Sequence, residues 1–300
     1  MSKAQILTHA LGGKWYRSYG LALCPAHGDR KPSLTLADAA EGRLLLNCKS
    51  GCGFMDVLQA LRDRGLIDSQ HRPQLPDAVV LARRQAQDRA DAERVERKAL
   101  STWYEAQPIG GTIAEAYLRN RGITCALPDT LRFHPDCWHP TARRFPAMVA
   151  LIDGLPRAAI HRTYLRSDGG GKADAEPARA MQGAARGGAV RLTASEMSLV
   201  VLERPLVVAE GIETALSLSS GLLRAPATVW AALSAPGIAA LRLPDRPHRL
   251  TIGVDGDSAG QAAANTLAER ATALGWTVSL LHAPQGRDWN DVLTMKGASA

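Results

Sequence analysis

From about residue 205 the chain alternates short apolar strands with helical stretches, and this constrains the fold more than any other feature. Strands are predicted at 206–209, 228–233, 250–254 and 277–281, with helices over about 212–220 and 259–274 between them. That order builds a mostly parallel sheet with helices on its faces. In such sheets ligands sit beyond the carboxyl ends of the strands. The first strand, in PLVVAEGIETAL, is followed by Glu210-Gly211, and the third, in TIGVDGDSAGQAAA, by Asp255 and Asp257. GRDWNDVL adds Asp288 and Asp291 after the last strand. If the strands are parallel neighbours, Glu210, Asp255 and Asp257 converge at one sheet edge. Acids also cap helices and favour their first turns. Capping accounts for one acid per helix, but not for two flanking a glycine plus a third on another strand end. Clustered carboxylates repel unless a cation separates them, and oxygen ligands accept magnesium or manganese. Glycines at 211, 256 and 260 leave room for a metal or phosphate.

The N-terminal 68 residues carry a second pattern: Cys24-x2-His27, twenty intervening residues, then Cys48-x3-Cys52. Strands at 33–36 and 43–47 lie between the pairs, and a short helix over 56–64 ends at Gly65. Four N/S ligands on a small hairpin make a closed tetrahedral site for one structural zinc ion, a staple that a module of this size needs. The bland alternative is four unrelated residues in a reduced protein. Five cysteines without an export signal argue against disulfides. His134, Cys137 and His139 form a weaker grouping, read as ordinary core and surface residues.

Residues 69–76, SQHRPQLP, read as a linker, and 77–100 as a long charged helix with a solvated face. Thr112 to Glu115 has the spacing of a capping box for a helix ending at Arg121-Gly122. Segments 147–152 and 158–165, joined at Asp153-Gly154, read as a hairpin, and 167–190 as mostly loop. The net charge of +7 is uneven: residues 201–300 hold eight basic and nine acidic side chains, so the first 200 carry +8. From 157 to 191, seven basic residues face three acids. Arg162, Arg166, Lys172, Arg179, Arg186 and Arg191 are the candidate contacts to a nucleic-acid template or a triphosphate; the alternative is a solvated surface. No apolar run is long enough to span a membrane and no secretory signal is evident, so no membrane partner and a cytoplasmic location are expected.

VVAEGIETALSL, LTIGVDGDSAGQAAA and GRDWNDVL together resemble a Toprim domain, the fold shared by bacterial-type primases, type IA and II topoisomerases and certain nucleases. CPAHGDRKPSL with CKSGCGFMDVL resembles the zinc-binding domain of the same DnaG-like primases, and AYLRNRGITCALPDTLRFHP the start of their RNA-polymerase domain. The resemblance implies a small zinc-ribbon-like β module (1–68), a linker and charged helix (69–110), a basic α+β central subdomain (111–200) and a parallel-sheet α/β Toprim domain (201–300). It implies that Glu210, Asp255 and Asp257 are catalytic and, with Asp288, hold catalytic magnesium or manganese, with Asp291 matching less firmly. The implied reaction is DNA replication priming: short RNA primers made from ribonucleoside triphosphates on single-stranded DNA, with the zinc module holding template. Two features depart from the family: the wider second zinc pair, and no helicase-binding domain after the Toprim segment. The shorter plan is similar to primase-like proteins of phages, plasmids and other mobile genetic elements, with any helicase separately encoded. A Toprim nuclease and a non-catalytic zinc-dependent DNA-binding accessory protein are the alternatives. A topoisomerase would need a nucleophilic tyrosine in a separate gate domain, for which 300 residues leave no obvious room.

Overall fold

Four short antiparallel strands in sequential order organise the first of two units: β1 (Lys14–Tyr16), β2 (Tyr19–Ala22), β3 (Leu34–Asp38) and β4 (Leu44–Cys48). The computed structural model describes residues 2–39, 43–67, 78–193 and 204–298, and its units are Met1–Leu81 and Ala82–Ala300. The predicted linker at 69–76 lies outside the described residues. Helices α1 (Lys3–Ala10) and α2 (Phe54–Asp63) bury one face of this sheet, where Leu7, Val57, Leu58 and Leu61 pack on Ala22, Leu34 and Leu36. Strand alternation leaves the other face to Lys14, Tyr16, Tyr19, Leu21, Thr35, Leu45 and Asn47. Among the described residues that face bears no carboxylate. Tyr16 and Tyr19 are direct cross-strand partners, stacked with ring centroids 5.3 Å apart, and both are exposed.

The second unit starts within α3 (Ala78–Glu105). This helix extends past the predicted end because Ala99 and Trp103 pack on Val149 and Ile160 of an antiparallel sheet. That sheet runs β5 (Gln107–Pro108), β6 (Leu131–Trp138), β7 (Arg144–Ile152), β8 (Ala159–Tyr164) and β9 (Arg179–Gln182), with α4 (Ile113–Asn120) between β5 and β6. The predicted hairpin is β7–β8, registered from Ala147↔Tyr164 to Ile152↔Ala159. Thr112 caps α4, and Glu115 accepts from the Gly111 N–H at 2.7 Å.

The C-terminal sheet has the order β10–β12–β11–β13–β14. Its strands are β10 (Val190–Arg191), β11 (Leu206–Ala209), β12 (Thr228–Ala231), β13 (Arg249–Val254) and β14 (Thr277–His282). β11 to β14 are mutually parallel, as the alternation predicts, and β10 adds an antiparallel edge. Chain order reverses at β11: β12 lies on one side and β13 on the other, leaving a crevice at their carboxyl ends. Helices α5 (Ile212–Ser217) and α8 (Trp289–Ala298) pack on one face, and α6 (Ala235–Ala240) and α7 (Ser258–Ala273) on the other. One apolar core joins Leu131, Met148 and Ile152 of the central sheet to Val207, Ala209 and Leu216, so the two sheets are one structural body.

Candidate active site

β11 and β13 are parallel neighbours, with Ala209 opposite Gly253, so Glu210 and Asp255 leave the sheet side by side. Leu233 fixes the backbone there: it holds a left-handed φ of 72° and its N–H donates to the Glu210 carbonyl at 2.7 Å. Glu210, Asp255, Asp257, Asp288 and Asp291 line a cavity of about 380 Å³ whose other walls carry Arg121, Lys172, Arg179 and Arg287. Acids and cations therefore share one cleft.

The acids are not equivalent. Asp257 caps α7, accepting from the Gly260 N–H at 2.7 Å. Asp288, just before α8, and Asp291, in its first turn, accept from each other's backbone N–H groups, at 2.8 and 3.1 Å. Asp255 caps nothing, and its buried Oδ1 has no partner. Burial, then repulsion from Asp288, Glu210, Asp257 and Asp291, raises its carboxyl to about 7. Burial and Asp257 raise Glu210 too, against the opposing pull of Arg179. A buried, orphaned oxygen ringed by acids is what a hard divalent cation would satisfy, so the residues fit one. These acids are more widely spread than the N-terminal metal group, and magnesium keeps waters and substrate phosphates among its ligands rather than demanding an all-protein cage.

Gly256 sets this spacing. A Cβ there would lie 2.2 Å from the Pro284 carbonyl oxygen, because the 284–287 loop crosses directly over it. Gly256 N–H donates to Arg287 and Gly286 N–H to Gly256, which brings Asp288 beside Asp255. The missing side chain thus admits a loop.

Of the predicted basic contacts, Lys172 and Arg179 line the cleft. Arg162 is buried on the sheet's other face and donates to the Trp138 carbonyl at 2.7 Å. Arg166 pairs with Asp168 at 2.7 Å and Arg191 with Asp153 at 3.0 Å, while Arg186 is exposed outside the cavity lining. Sequence reasoning missed Arg121, Glu213 and Asn290. Asn290 donates to the Arg121 carbonyl at 2.8 Å and to Ser217 Oγ at 2.9 Å, tying α8 to α4 and α5. Glu213 reads as an ordinary first-turn acid, and nothing local distinguishes it.

In the first unit Cys24, His27, Cys48 and Cys52 place one ligand atom each within 4.8 Å of all the others; among the described residues no other His/Cys/Asp/Glu group does so. Tetrahedral zinc with sulfur ligands needs separations of roughly 3.8 Å, and His27 Nδ1 lies 3.2 Å from Cys52 Sγ and 3.9 Å from Cys48 Sγ. The other imidazole nitrogen faces Asp29 at 3.5 Å, the usual orienting partner of a metal-bound histidine. Asp29 also accepts from the Cys24 N–H and the Ser33 hydroxyl, at 2.8 and 2.6 Å. Burial raises Cys24 to about 11; it also opposes ionisation of Cys48, but N–H groups of Cys52 and Ser50 and the Ser33 hydroxyl bring that thiol to about 6. His134 and His139 bond instead to Glu105 and to Thr141 and Pro177.

A Toprim family model matches residues 205–299. The C-terminal domain is a Toprim domain. A second model, described as a domain of unknown function (DUF7146), matches residues 93–192. Among solved structures the chain is similar to the zinc-binding and RNA polymerase domains of the Aquifex aeolicus primase, with 15% identity, coverage of 100% of this chain and 81% of that one, and a TM-score of 0.39. No curated protein matches. The Cys3His group precedes the Toprim domain in the chain. No described helix is long and apolar enough to cross a membrane.

Proposed function

We propose that the chain is a DNA primase, a DNA-directed RNA polymerase that makes short RNA primers on single-stranded DNA by metal-dependent nucleotidyl transfer. The observation that carries this reading is the unpartnered Asp255 Oδ1 in a cleft that gathers acids together with Lys172, Arg179 and Arg121. Glu210, Asp255, Asp257 and Asp288 would hold magnesium or manganese, which, when bound, lowers the pKa of an attacking hydroxyl and neutralises a leaving pyrophosphate. The three basic side chains orient the triphosphate by charge-assisted hydrogen bonds. Asp257 and Asp288 are fixed by their caps and present their carboxylates without rearrangement. The Cys3His group would hold one structural zinc ion. The open sheet face beside it, with Tyr16, Tyr19 and Lys14, suits stacking and charge contacts to unpaired template.

Ribonucleotide incorporation on mixed-sequence single-stranded DNA, with magnesium or manganese, tests this. Template-dependent short RNA is expected from the wild type, reduced at least ~100-fold in Asp255→Ala. DNA degradation without triphosphates would indicate a nuclease. DNA binding without product from either protein would indicate an accessory factor.

A further inference from the structure

We infer that Glu213, outside the metal-ligand set, is a positioning residue that holds Lys172 toward the phosphates of a bound nucleotide; this rests on the nucleotidyl-transfer reading above. Lys172 closes the glycine-rich loop after β8, and its backbone is fixed by pairing with Leu165 and by the Arg166 N–H donating to Gly171. Among the described residues its flexible stem is fixed by Glu213: Lys172 Nζ lies 3.1 Å from Glu213 Oε1. The same oxygen accepts the Tyr117 hydroxyl at 2.7 Å. Glu213 is 5% exposed, whereas the Lys172 side chain is 30% exposed and both residues border the cavity. The carboxylate thus lies inside the wall and the ammonium at its surface. An ammonium has three N–H donors; one serves Glu213, and the others remain for the cleft.

Among the described residues Lys172 is the cation within ion-pair distance of Glu213; Arg121 and Arg179 border the same cavity without pairing with it. His161 faces Glu213 from β8, but burial keeps that imidazole neutral down to about 4. Burial opposes ionisation of Glu213 as well, yet Lys172 and the Tyr117 hydroxyl bring its carboxyl down to about 2. A buried carboxylate is costly unless paired, and the neighbouring Ile212, Ala215 and Leu216 show that an apolar side chain packs readily on this helix. The sign of the effect follows from the acids opposite. A lysine released from Glu213 would turn to Glu210, Asp255 and Asp257 rather than wait for phosphate.

The test measures binding of a fluorescent ribonucleoside triphosphate to the full chain with magnesium, for wild type, Glu213→Gln, Lys172→Ala and the double variant. Glu213→Gln should weaken binding about tenfold, or ~1.4 kcal/mol, and should add nothing on the Lys172→Ala background. Affinity for the unphosphorylated nucleoside should not change. Glu213→Asp, which keeps the charge but shortens its reach, carries the same test if Glu213→Gln does not fold. Unchanged or tighter triphosphate binding, or additive single effects, overturns the inference. Triphosphate binding by a wild type that makes no primer overturns the primase reading alone. Primer synthesis with unaffected triphosphate binding in Glu213→Gln overturns the positioning role alone.

Discussion

At the residue scale the cleft divides its work between carboxylates that are already hydrogen-bonded and one that is not. Asp257 is fixed by one oxygen capping α7, while half-buried Asp255 has a buried Oδ1 without a partner and its carboxyl raised to about 7. A raised carboxyl means that the folded protein binds more protons than the unfolded chain between the ordinary value of 3.8 and about 7. Metal-free protein should therefore lose stability as pH rises through that window, with this contribution constant above it. Urea unfolding in a chelator at several pH values should show the decline in wild type, and the difference from Asp255→Asn should isolate it. Stability rising relative to that variant over the same window would contradict the assignment. The DxD pattern was legible in the sequence. Which of its two aspartates the fold leaves unpaired was not, because that depends on the α7 cap and on a loop thirty residues away. Glu213 was illegible for a related reason: its partners Tyr117 and Lys172 are far off in the chain.

At the element scale the 284–287 loop matters as much as the strands. It reaches across Gly256 because no side chain stands there. Gly256→Ala should displace the loop and Asp288 with it, costing ~1–3 kcal/mol of stability together with cation affinity in the cleft. Gly110→Ala, where a new Cβ meets nothing within 4 Å, should stay within about 0.5 kcal/mol. Thermal unfolding and manganese binding would report both. The parallel strands were legible because β11 and β13 are largely apolar and each runs straight into an acid, Glu210 and Asp255. The short strands β9 and β10 were not: four and two residues carry no period of their own, and they are strands only because β8 and β12 pair with them.

For the whole molecule, the two units are held by different means. Unit Ala82–Ala300 has an apolar core spanning two sheets, whereas unit Met1–Leu81 has a small core beside its Cys3His group. Stripping metal with a strong chelator, or replacing Cys48 with Ser, should open the first unit and leave the second folded. Limited proteolysis with mass spectrometry should then show cleavage within the first 67 residues and a resistant fragment beginning near Ala82. Equal loss of both units would argue against a structural metal. The Cys/His spacing announced this staple in the sequence, but its orienting carboxylate Asp29, two residues after His27, passed unremarked there.

The two family matches stop at 192 and resume at 205, yet that seam is not where the molecule can be cut. Val190 and Arg191, from the upstream side, complete the C-terminal sheet by pairing with Ala231 and Trp230. A fragment starting at the Toprim match would carry β12 as a bare edge, open to self-association. The central region and the Toprim domain therefore travel together: a graft or fusion that exchanges one must bring its own edge strand, and expression boundaries belong well upstream of Val190.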